Sequence, residues 1–158
     1  MTSSARVHER SYQLRVEDLN PSGHMDNLCI LRAVDEARHV LLGMRGPGGV
    51  VVAPGMLDAA GPGVTQLVAR HHVEYVRELH YDPDQPLDVR IWVCRVGGSS
   101  FDLAAEVRQR PEGPVAAVVE STTVLIDVAA GRPWAMSEEV RAAVTAYLGP
   151  APTFRSSR

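Results

Sequence analysis

From Asp26 to Gly43 the chain reads DNLCILRAVDEARHVLLG, with apolar residues at Leu28, Leu31, Val34 and Leu41 and again at Ile30, Ala33, Ala37 and Val40. Apolar side chains on so wide an arc need cover on nearly every side, which predicts a largely buried helix. Asp26 or Asn27 suits its N-cap and Gly43 its C-terminal stop, giving a span of roughly 27 Å. Whatever else the chain forms has to wrap that helix.

The remaining sequence offers the wrapping. SYQLRVEDL, starting at Ser11, alternates Tyr12, Leu14 and Val16 with Gln13, Arg15 and Glu17, the period of a half-buried strand, and carries Asp18 and Asn20 inward. Pro21 and Gly23 end it. The glycine- and proline-rich stretch 45–63 reads as a loop with one short helical turn near Met56 to Ala60. Four strand-like runs follow, VTQLVARHHVEYV, PLDVRIWVCRV, SFDLAAEVRQR and PVAAVVESTTVLIDV, each about ten residues or more and so roughly 33 Å long. SEEVRAAVTAYL, opening on Ser137 with acids in its first turn, reads as a short capped helix. The economical arrangement is one α+β domain over residues 8–148, an antiparallel five-stranded sheet curled around a long central helix, with a short C-terminal helix. Residues 1–7 and 149–158 are expected to be loose termini.

Composition narrows the function. At 158 residues and 45% hydrophobic content the chain can bury one core without metals or disulfides. A net charge of −3 gives no basic field for a phosphate backbone, so nucleic acid is not an expected partner. Cys29 and Cys94 lie in apolar runs without CxxC spacing, the pattern of buried free thiols in a reducing compartment. With no apolar run fit for a signal peptide or a membrane span, a cytoplasmic protein with no membrane partner is expected. His71 and His72 point to opposite faces of a strand, and His8, His39 and His80 add no ligand spacing, so no metal site is expected. GGSSF lacks the last glycine of a nucleophile elbow and sits in a hairpin, which argues against a serine triad.

Four segments in order, DLNPSGHMDN leading into LRAVDEAR, then HHVEYVREL, VRIWVCRVGGSSFDLAAEV and VLIDVAAGRPWAMSEEV, resemble the hot-dog fold of acyl-CoA thioesterases of the 4-hydroxybenzoyl-CoA type, with a similarity also to acyl-ACP thioesterases. The resemblance covers about residues 8–145. It implies hydrolysis of a thioester on coenzyme A or acyl carrier protein by a homodimer or homotetramer, with coenzyme A present only as part of the substrate and no other cofactor. It also points to Arg77, Arg95, Ser99 and Ser100 for the phosphates of that substrate; the plain alternative for the arginines is solvated surface. The hydroxybenzoyl type carries an acid two positions after the aspartate matching Asp18. Here that position is Asn20, and an amide takes up no proton.

Thioester hydrolysis needs a polarised carbonyl and an activated water. Backbone N–H groups around Met25 to Leu28, at the start of the helix, suit the carbonyl oxygen as charge builds on it. His24 brings an imidazole, the side chain that ordinarily titrates near neutrality, as general base, with Asn20 orienting water or carbonyl. Asp18 and Asp26 suit holding the imidazole in one tautomer, and Glu36 or Glu74 is the carboxylate alternative for the base. Plainer roles compete: a helix cap for Asp26, a turn for Asp18, an Arg32–Glu36 surface pair, and core packing for Cys29. Two rival functions remain. An R-specific enoyl-CoA hydratase is suggested by the Asp, Asn-Pro, His order of DLNPSGHMD, with His24 one residue further on than that pattern expects. A catalytically silent acyl-CoA-binding hot-dog protein is suggested by Asn20.

Overall fold

The computed structural model describes residues 5–155. Along the chain it forms β1 (His8–Tyr12), α1 (Asn27–Leu42), β2 (Met44–Arg45), β3 (Val51–Ala53), β4 (Val64–Tyr75), β5 (Leu87–Val96), β6 (Ser100–Arg108), β7 (Val115–Asp127), β8 (Arg132–Pro133) and α2 (Glu138–Thr145). The main sheet runs β1-β5-β6-β7-β4, antiparallel at every pair, with β8 added to the end of β7. β2 and β3 form a separate two-stranded ribbon inside the loop. This is the hot-dog arrangement: five antiparallel strands around α1, with α2 behind.

Packing follows from residue size and alternation. Ala33 and Ala37 let α1 approach the sheet closely, and Ile30, Val34 and Leu41 beside them join a core with Val89, Ile91, Leu103, Val107 and Val119 from β5, β6 and β7. Phe101, Leu103, Ala105 and Val107 of β6 all point inward and are buried, as their period of two requires. Asp26 caps α1 by accepting from the Leu28 N–H at 2.9 Å, and Gly43 ends it at φ 88°, a conformation open to glycine. Ser137 caps α2 by accepting from the Val140 N–H. Among the described residues no helix is long and apolar enough to cross a membrane.

The structure departs from the sequence reading in four places. The first strand is β1, His8–Tyr12, and the chain then turns through a 3-10 segment at Val16–Asp18 rather than extending to Leu19. Its cause is the Asp18 carboxylate, whose Oδ2 accepts from the Arg15 N–H at 2.9 Å and folds the backbone onto itself. Tyr12 and Leu14 are still buried, while Val16 is 68% exposed. α1 is covered on one side only: Leu28 and Val40 face outward at 60% and 42% exposure, because one chain's sheet reaches only part of the way round. Arg32 pairs with Asp18 at 2.8 Å and not with Glu36. Residues 149–155, expected to be loose, cross the outer side of the sheet. Gly149 N–H donates to the Val93 carbonyl, the Trp92 indole N–H donates to the Pro150 carbonyl, Phe154 stacks on His72 with ring centroids 3.9 Å apart, and the Arg155 N–H donates to Glu74.

Candidate active site

The turn before α1 is built by two side chains. Asn20 Oδ1 accepts from the Ser22 N–H (3.0 Å), the Ser22 hydroxyl (2.6 Å) and the His24 N–H (3.1 Å), closing the loop upon itself. Asn20 N–H donates to the His24 carbonyl and Asp26 N–H to the Asp18 carbonyl, so the turn is a miniature antiparallel bridge from Leu19 to Met25. Asp18 ties it to the helix: the side chain is fully buried, Oδ2 holds Arg15 and Oδ1 accepts from Arg32 Nη1. Each oxygen of this buried side chain thus meets a donor, as burial of a polar group requires.

The turn, the first residues of α1, the segment after β4 and the start of β7 enclose a cavity of about 380 Å³. Asn20, His24, Asp26 and Asn27 form one wall, Tyr75, Arg77 and Glu78 another, and Met25, Ile30, Leu79, Ala116 and Ala117 give it an apolar floor. His24 Nδ1 lies 3.4 Å from Glu78 Oε1, with both side chains more than half exposed. The Tyr75 hydroxyl donates to the Asn27 carbonyl at 3.2 Å, fastening the strand to the helix end. The segment after β4 is held in turn by Val76 and Arg77 N–H groups, which both donate to the Ala116 carbonyl.

Of the amides at the helix start, several are already engaged. Asp26 N–H goes to the Asp18 carbonyl, Leu28 N–H to the Asp26 side chain and Cys29 N–H to the Asp26 carbonyl. Among the described residues the N–H groups of Met25 and Asn27 find no acceptor in the protein, and Asn27 stands where the helix dipole is positive. Of the four amides at positions 25–28, only these two are left without a protein acceptor among the described residues.

The structure therefore brings Asn20, His24, Asp26 and Arg77 to one cavity and separates the other sequence candidates from it. Asp18 sits behind the turn with both oxygens engaged. Glu36 is exposed on α1, about 14 Å along the axis from Asn27 at 1.5 Å per residue. Arg95 is held by Asp102 through Nε (2.5 Å) and Nη2 (3.0 Å), beside Ser99 and Ser100 at the Gly97-Gly98 turn. Ser100 pairs with Val124, whereas Tyr75 pairs with Ala117, so this turn and the cavity lie roughly 23 Å apart along β7. Glu74 faces the other side of the sheet and accepts from Arg155. Burial pushes the Cys29 thiol up to about 11, with the Asp18 and Asp26 charges adding to it, so it is an inert core group. Tyr75, Glu78 and the Ala116–Ala117 floor are the site residues that sequence reasoning missed. For Tyr75 and Glu78 the only signal was the HHVEYVREL segment, which carries no measure of distance to the turn.

Residues 14–144 match the thioesterase-like superfamily, and the chain belongs to it. Its fold is similar to that of a predicted thioesterase from Bacillus stearothermophilus at 20% identity and a TM-score of 0.74, covering 93% of this chain and 100% of that one. A thioesterase from Thermus thermophilus, solved with coenzyme A and zinc, is 21% identical with a TM-score of 0.64, covering 91% and 96%. The 12:0-ACP thioesterase from Umbellularia californica is 19% identical with a TM-score of 0.72; the match covers 96% of this chain and 58% of that one. No curated protein matches the chain in sequence.

Proposed function

We propose that the protein hydrolyses an acyl thioester of coenzyme A or acyl carrier protein, giving a carboxylic acid and a free thiol, at the N-terminal end of α1. The observation that carries this reading is the cavity where an imidazole, a helix-terminal N–H and an apolar floor meet. The acyl group lies against Met25, Ile30 and Ala117 with its carbonyl oxygen toward the Asn27 N–H. His24, its Nδ1 turned to Glu78, takes a proton from water at Nε2 as the water oxygen bonds to the carbonyl carbon. The Asn27 N–H and the helix terminus hold the negative oxygen of the tetrahedral intermediate. Collapse breaks the carbon–sulfur bond, and the departing thiolate receives the proton from the imidazolium. Membership of the thioesterase-like superfamily supports the same chemistry.

The hydratase pattern in DLNPSGHMD takes its carboxylate from Asp18, and the engagement of Asp18 with Arg15 and Arg32 behind the turn gives that rival no support. The binding-only reading retains one supporting observation, the Asn20 oxygen already shared among three donors. A panel of acyl-CoA esters assayed for thiol release decides between them: hydrolysis releases free thiol, whereas a binding module shows saturable binding without it. Replacing His24 with Ala is expected to lower kcat by about 10² to 10⁴. Full activity in that variant removes His24 from the mechanism.

The active form is proposed to be a homodimer, or a tetramer of such dimers. β4 is a twelve-residue strand at the end of the sheet, and an edge that long ordinarily needs a partner. Leu67 and Tyr75 on it and Leu28 beside it are 54%, 49% and 60% exposed, an apolar margin suited to a second copy. Leu67→Glu is expected to shift the protein to monomers in light scattering; an unchanged mass moves the interface elsewhere.

A further inference from the structure

A second cavity, of about 400 Å³, opens at the far end of α1. It lies between the start of β1, the last turn of α1, the Gly55–Met56 loop and the end of α2. Val40 on its wall is about 20 Å from Asn27 along the helix axis at 1.5 Å per residue, so the cavity is separate from the candidate active site. Its volume falls in the range of small-molecule sites. Val40, Leu41, Met56, Ala143 and Ala146 make its walls apolar, and Arg6, His8 and Tyr147 bring the polar groups.

Charge distinguishes this cavity from the others. Among the described residues several arginines have no carboxylate partner, but Arg77, Arg110 and Arg155 line cavities that also hold acids: Asp26 and Glu78 beside Arg77, Asp82 beside Arg110, and Glu74 and Glu106 beside Arg155. Arg10, Arg45, Arg132 and Arg141 line none of these cavities. Arg6 lines one that holds no acid. His8 adds no charge of its own at neutral pH, because burial and the Arg10 charge push its imidazole below the ordinary value, and its Nε2 is buried without a partner. Nor do the two helix ends here call for a cation. The Leu41 and Leu42 carbonyls accept from the Met56 and Leu57 N–H groups, and those of Val144 and Thr145 accept from Tyr147 and Leu148. The nearest acids on those helix faces, Glu36 and Glu139, stand one turn before Val40 and Ala143 and are exposed, where water screens them.

We infer that this second cavity binds a free carboxylic acid with a short apolar body, held through its carboxylate by Arg6. The guanidinium at the mouth matches a carboxylate with two parallel N–H donors. The apolar body lies against Leu41, Met56 and Ala143, surface that a wholly polar anion would leave unused. The hydrolysis proposed above releases acids of this class, but binding here is measured without turnover, so the two readings stand or fall separately.

Octanoate titrated into the isotope-labelled full chain, followed by amide NMR shifts, tests this. The Met56, Ala143 and Tyr147 amides are expected to shift saturably, and the uncharged analogue octan-1-ol to bind the same place at least about fivefold more weakly, the effect of one charge-assisted contact. Arg6→Ala is expected to weaken octanoate by about fivefold or more and to leave octan-1-ol unchanged. Ala146→Trp, at an exposed position, fills the cavity and is expected to remove both. Shifts confined to Asn27, Tyr75 and Ala117 place the acid in the first cavity and overturn the inference. Equal affinity for acid and alcohol, an Arg6→Ala protein that binds octanoate as the wild type does, or no saturable shift at all overturns it as well.

Discussion

Asp18 has two possible roles with opposite signatures, and replacing it with Asn separates them. As a structural anchor it holds the Arg15 N–H and the Arg32 guanidinium from a side chain with no solvent exposure. Hydrogen bonds to a charged group contribute about 1.5–3 kcal/mol each. The Arg32 half has to be discounted because that side chain is 58% exposed and water screens the attraction. An amide keeps one acceptor and loses the charge, so Asp18→Asn is expected to cost about 2 kcal/mol and Asp18→Ala, which leaves the Arg15 N–H without an acceptor, about 3 kcal/mol. At about 2–4 °C per kcal/mol for a domain of this size, the melting temperature should fall by roughly 4–8 °C for the amide variant. Urea unfolding with an unchanged slope gives the free energy directly. Activity should fall only as far as the loosened turn displaces His24. An Asp18→Asn protein with wild-type stability and abolished thiol release refutes the argument and makes Asp18 the reacting carboxylate.

Other expectations follow from single contacts. Burial works against the Asp102 carboxylate, but its hydrogen bonds to Arg95 and Thr122 together with the nearby Arg95 and Arg70 charges outweigh that and hold it below the usual carboxylate range. A lowered folded pKa contributes stability above the unfolded value near 3.9, and the contribution is lost as pH falls through the folded value. Wild type should therefore exceed Asp102→Asn in stability at pH 7, with the gap closing below about pH 4; a gap constant with pH removes the charge from the explanation. A Cβ added at Gly55 would fall on the backbone of Leu42 and Gly43 at the end of α1. Gly55→Ala should cost about 1–3 kcal/mol in denaturant unfolding, and a neutral result shows that the loop shifts freely.

Periodicity made the fold readable because the long strands and the long helix bury alternate or every third-to-fourth side chain. Phe101, Leu103, Ala105 and Val107 occupy the inner face their spacing predicts, and Asp26 and Gly43 bracket α1 as cap and stop. The first strand was misread because one side-chain bond, Asp18 to Arg15, outcompetes an alternating pattern that looks extended. The site was readable only in part. DLNPSGHMDN is local, so its proline, glycine and cap announce a turn at a helix end. Glu78 and Ala117 reach that turn through strand register across tens of residues, which no local pattern encodes. Asp18 and Asn20 show the further difficulty: polar residue types suited to catalysis are the same types that build tight turns.

The stretch after α2 acts as a clasp over hydrophobic surface. Trp92 and Val118, each 8% exposed, are kept from water in part by Gly149 to Arg155 passing above them. A protein trimmed after Leu148 would present an indole and a valine row as a sticky plate, and its first symptom would be clumping in the tube rather than any fault in chemistry.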